Sequence, residues 1–85
     1  MSEDYPERVV NGVTLHPVYA WRTGDYFIST DSMRAAESGV GHFTVARMDY
    51  SVYPAFLMHY VEKAWSLADA VTVAACDAEA RGVAL

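Results

Sequence analysis

The sequence predicts an α+β domain: a small antiparallel sheet of three to four strands packed on one long C-terminal α-helix. Two observations carry this. Turn chemistry punctuates the first half, with Asn11-Gly12 and Thr23-Gly24 each set between β-prone runs. The second half, from Ser51 to Gly82, reads as a single helix with start and stop signals at its ends.

Residues 1–6 read as a flexible acidic lead, followed by one domain over residues 7–85. Arg8 to Val10 and Val13 to Leu15 flank Asn11-Gly12, whose two positions accept positive φ, so a hairpin is expected near 8–15. Pro17 lacks a backbone N–H and either stops a long strand or places it at an edge. A second hairpin is expected near 18–30. A two-residue loop at Thr23-Gly24 would pair Arg22 with Asp25 and Trp21 with Tyr26, giving an ion pair and an aromatic face. A three-residue loop would pair Trp21 with Asp25. The first register is the better fit to side-chain chemistry, although Thr23 resists positive φ. Ser32 offers an N-cap and Gly39 a stop, so a short helix is expected near 32–38. Val40-Gly41 forms a joint, and a strand near 42–48 places Phe43 and Val45 on one side.

The C-terminal helix is expected at about 52–81. Ser51 can cap it, Pro54 fits its first turn, and Arg81 with Gly82 closes it. At 100° per residue its apolar side is broad, and Leu57, Val61, Ala64, Ala68, Val71, Ala75 and Ala78 form a 4–3 repeat of mostly small residues. A helix of that length would run ~40 Å, against roughly 30 Å for a compact chain of this size. The overhang must be relieved by a break near Thr72–Val73, by a different protein, or by a second copy. The seam favours a homodimer joined along those seven residues.

Composition narrows the function classes. A hydrophobic content of 53% opposes disorder, and the single cysteine, Cys76, excludes an intrachain disulfide framework. The acidic N-terminus lacks the apolar run of a signal peptide, and charges interrupt the 52–81 run before it could span a membrane, so a cytoplasmic protein is expected. A net charge of −5 opposes direct nucleic-acid binding. His59 and Glu62 stand one helical turn apart, too few ligands for a metal site. Cys76 lies among alanines without the positive surroundings of an activated thiolate. No catalytic, cofactor or metal residues are therefore assigned. Trp21 at the hairpin tip and Trp65 at the helix margin are candidate anchors for a partner.

These readings point to a small non-enzymatic protein-interaction module, a homodimer that inhibits or adapts a larger protein. The comparison with small phage accessory proteins is one of size and composition alone. Two other readings stand beside it. One is a small-ligand-binding or enzymatic domain with a pocket lined by Tyr19, Trp21, Tyr60 and a histidine. The other is an acidic nucleic-acid mimic that blocks a DNA-processing protein.

Overall fold

The computed structural model describes residues 6–18, 20–49 and 57–85. Strands β1 (Arg8–Val10), β2 (Val13–Val18), β3 (Ala20–Thr23) and β4 (Tyr26–Thr30) are followed by helix α1 (Met33–Ser38). Strands β5 (Val40–Asp49) and β6 (Leu57–Ser66) then lead into helix α2 (Leu67–Arg81). The six strands form one sheet in chain order, each antiparallel to its neighbours. The class is α+β as expected, but with six strands rather than three or four.

The early turns obey their residue chemistry. Asn11 and Gly12 have φ of 53° and 80°, as a two-residue turn with two left-handed positions requires, and Val10 pairs with Val13. The second hairpin differs from both expected registers. Its loop is Gly24-Asp25, with Trp21 opposite Ile28, Arg22 opposite Phe27 and Thr23 opposite Tyr26. Sliding the loop by one residue puts Gly24, at φ 58°, in the first central position, which glycine fills in a type II′ turn. Thr23 is thereby released from positive φ into a strand. Pro17 sits opposite Trp21 of β3, beyond the end of the β1 pairing, where β2 has one strand neighbour. Helix α1 matches its expected capping, with Ser32 Oγ accepting from the Ala35 amide at 3.3 Å and Gly39 left-handed at φ 79°.

The long helix is the main correction. Residues 57–66 are a strand, and the helix begins only after Ser66. Residues 51–56, including Ser51 and Pro54 of the expected start, lie outside the described residues, as do residues 1–5 of the acidic lead. Ser66 Oγ accepts from the Asp69 amide at 3.1 Å, so the working cap is the Ser66–Asp69 pair rather than Ser51. At 1.5 Å per residue α2 is ~22 Å long. It fits within a molecule measuring 35 × 27 × 20 Å with a radius of gyration of 12.4 Å. The overhang is removed by an earlier change of structure, not by a break at Thr72–Val73.

Both helices contribute to a core on one face of the sheet. Leu15, Trp21, Tyr26, Ile28, Phe43, Val45 and Ala64 point inward from the strands, against Ala35 and Ala36 of α1 and Leu67, Ala70, Val71, Ala74 and Ala78 of α2. The helical five follow the i, i+3, i+4, i+7 spacing of one face. A polar lock fixes the far end of α2. Tyr26 donates its hydroxyl hydrogen to Asp77 Oδ2 at 2.5 Å and accepts from Arg81 Nη1 at 3.0 Å. The buried Arg47 Nε lies 3.3 Å from the same carboxylate oxygen, an ion-pair distance without hydrogen-bond alignment.

This lock has a pH signature. Desolvation, reinforced by the Asp77 carboxylate, raises the Tyr26 phenol above its ordinary value of 10.0, partly offset by Arg81. A group that binds its proton more tightly when folded contributes stability that is whole below the unfolded pKa and lost as pH rises through the folded one. Urea midpoints measured from pH ~9 upward should therefore fall above pH ~10 more steeply in the wild type than in Tyr26→Phe. Equal slopes would remove Tyr26 from the alkaline transition.

Candidate functional site

The other face of the sheet carries no helix among the described residues. Its side chains are the alternate strand positions, and the register lines them into rows. One row crosses five strands as His16, Arg22, Phe27, Ala46 and Tyr60. The next contains Ser29, Thr44 and Lys63 on β4, β5 and β6. Beyond it His42 meets Trp65 edge-on, with ring centroids 4.2 Å apart and planes at 70°.

Rigid contacts hold parts of this face in place. Arg22 Nε donates to the Gly24 carbonyl at 3.1 Å, and its guanidinium carbon lies 5.3 Å from the Phe27 ring centroid. Thr30 donates its hydroxyl hydrogen to the His42 carbonyl at 2.7 Å. Beside Lys63 an open cleft of about 320 Å³ is lined by Ser29, Thr30, Asp31, His42, Phe43, Thr44 and Lys63. Tyr60 is 61% exposed and Trp65 62%, on the last strand of the sheet. None of the described strand positions on this face is a carboxylate, although the chain has 11 acids against 6 lysines and arginines.

The acids gather elsewhere. Glu62 and Asp77 line a groove between β6 and α2, together with Val61, Thr72, Val73 and Cys76. Asp49 Oδ2 stands 2.7 Å from His59 Nε2 across the β5–β6 ladder. That couple replaces the His59–Glu62 relation, which required helical geometry. Among the described residues no hydroxyl or thiol hydrogen-bonds to His59, and no group of three potential metal ligands occurs.

The expected partner-binding tryptophans part company. Trp65 is exposed on the open face, whereas Trp21 is fully buried, its indole N–H donating to the Pro6 carbonyl at 2.7 Å and its ring 6.2 Å from that of Phe43. The register slip explains this: Trp21 is no longer at the tip of the hairpin but two residues inside it, on the core side. The seven seam residues do not share a helix face. Leu57, Val61 and Ala64 are on β6, where Val61 is packed against the core and Ala64 is buried in it. Of the four on α2, Val71 and Ala78 are buried against the sheet, while Ala68 and Ala75 are exposed. Of the residues expected to line a pocket, Tyr19 lies outside the described residues, Trp21 is core and Tyr60 faces outward. Sequence reading missed the Ser29–Thr44–Lys63 row because its members are neighbours only across strands.

The sequence matches no protein-family model and no curated protein, and the fold matches no solved structure. No described helix is long and apolar enough to cross a membrane.

Proposed function

We propose that this protein is a non-enzymatic interaction module that docks a partner protein on the open face of its sheet. The observation that carries the reading is the pair of large aromatic side chains, Tyr60 and Trp65, more than half exposed on the same face of β6. Exposed aromatics on a rigid strand are efficient anchors, because they offer large contact area with few rotatable bonds to freeze. A terminal strand of ten residues also leaves its outer backbone groups available for pairing.

Charge defines the partner. The face bears Arg22 and Lys63 with no carboxylate at its described strand positions, inside a chain of net charge −5. It therefore suits a protein segment that combines a few carboxylates with apolar side chains. Nucleic acid is a poorer fit, since two cations neutralise few phosphates and the rest of the chain repels a polyanion. A larger protein thus remains the proposed partner, and the surface moves from the helix seam to β6.

Site-specific photo-crosslinking in extract of the source organism tests this. A photoreactive residue at position 65 should give one discrete adduct with a different protein, and the same residue at the exposed helix position 72 should not. Lys63→Glu should reduce the adduct and raised salt should weaken it. Equal labelling from both positions, or from neither, overturns the reading. An adduct of two copies of this chain replaces it with self-association through β6.

A further inference from the structure

The cleft beside Lys63 has chemistry of its own. Ser29, Thr44 and Lys63 stand directly opposite one another on three adjacent strands. Neighbouring strands are ~4.8 Å apart, so the three donors cover a strip about 10 Å long. None of the three side chains is committed to a hydrogen bond or ion pair among the described residues. Thr30, by contrast, already spends its hydroxyl on the His42 carbonyl. The volume of about 320 Å³ is at the small end of the range for ligand sites.

We propose that this cleft binds a small phosphate monoester carried on a planar ring, the chemistry of a nucleoside monophosphate. Two hydroxyls and an ammonium in one row supply donors for several oxygens of one tetrahedral anion, with Lys63 as the point charge. Asp31, the one carboxylate among the described lining residues, stands at the β4 end. It therefore directs the anion toward Thr44 and Lys63. Trp65 follows Lys63 by two residues on the same strand and face, ~6.8 Å along it. That distance places its indole where a ring attached to the phosphate would lie, and the edge-on His42 ring holds the indole in position. The site occupies part of the docking face proposed above, but it needs no protein partner in order to be filled.

Amide NMR titration of the full chain with adenosine monophosphate, inorganic phosphate and adenosine tests the assignment. Adenosine monophosphate should shift the Ser29, Thr44 and Lys63 amides and the Trp65 indole N–H saturably. Phosphate alone should move the first three more weakly, and adenosine alone should act mainly on Trp65. Lys63→Ala is a surface change that should leave the spectrum folded and weaken adenosine monophosphate about tenfold, as loss of a charged hydrogen bond does. Thr44→Val should weaken it by a smaller factor. The proposal is overturned if millimolar adenosine monophosphate gives no saturable shifts, if the shifts centre elsewhere, or if Lys63→Ala binds as the wild type does. Those outcomes leave the crosslinking result untouched, and a failed crosslink leaves this one untouched.

Discussion

Trp21→Ala is expected to remove a large share of the protein's stability and to lower its urea midpoint sharply. Trp21 is fully buried, tilted against Phe43, and tied through its indole N–H to the Pro6 carbonyl. Removing a buried tryptophan costs about 3–5 kcal/mol, before the carbonyl loses its donor. A domain of this length has roughly 4–13 kcal/mol to lose, so one substitution consumes a large share. Trp65→Ala, the other tryptophan, should cost under about 1 kcal/mol, because the ring is mostly in water and its one ring contact among the described residues is with His42. Urea denaturation followed by far-UV circular dichroism separates the two. Similar losses from both substitutions would mean that the Trp21 side chain does not contribute to the core.

The register of the β3–β4 hairpin shows what the sequence could and could not disclose. Asn11-Gly12, Ser32 with Gly39, and the Phe43–Val45 alternation are local signals, and each specifies its turn, cap or strand without help from distant residues. Gly24 was also visible, but its two placements shift the pairing by two residues: Trp21 keeps the face it shares with Tyr26 and Ile28 while its partner changes from Tyr26 to Ile28, and core packing decides between them. Residues 57–66 were harder for a physical reason. Register runs from Phe43–Ala64 through Val45–Glu62, then skips Val61 to Ala46–Tyr60. The extra residue is a β-bulge, which puts Glu62 and Ala64 on one face but Met58 and Tyr60 on the other. Period-two alternation is broken in the middle of the strand, and the remaining apolar spacing imitates a helix. Only pairing with β5 settles the conflict, and that partner is a long-range contact. The helix proper was signalled by Ser66 three residues before Asp69 and by the alanine-rich run that follows. An apparently continuous apolar pattern from residue 56 onward masked that start. The donor row of the cleft was hidden for the same reason as the bulge, since cross-strand neighbours have no sequence spacing to betray them.

Gly41→Ala is expected to be damaging too, and for a reason other than the loss of a buried side chain. Gly41 has φ of 147°, where L side chains are strained, and a Cβ built there would sit 2.7 Å from the Cβ of Ala35. Ala35 is buried on α1, so neither atom can swing away. Backbone strain of about 1–3 kcal/mol adds to a packing cost of similar size. Gly12→Ala supplies the comparison. Gly12 also has positive φ, at 80°, but a Cβ there would meet nothing within 4 Å, so only the conformational cost applies. That cost is about 1–2 kcal/mol. Ala35→Gly resolves the two contributions to Gly41→Ala. It deletes the opposing methyl at a helix cost of about 1 kcal/mol. The double variant should therefore be more stable than the sum of its parts, with a coupling on the order of 1 kcal/mol or more in a double-mutant cycle. Additive losses would mean that α1 shifts to admit the new methyl, and that the joint between α1 and β5 is set by backbone conformation alone.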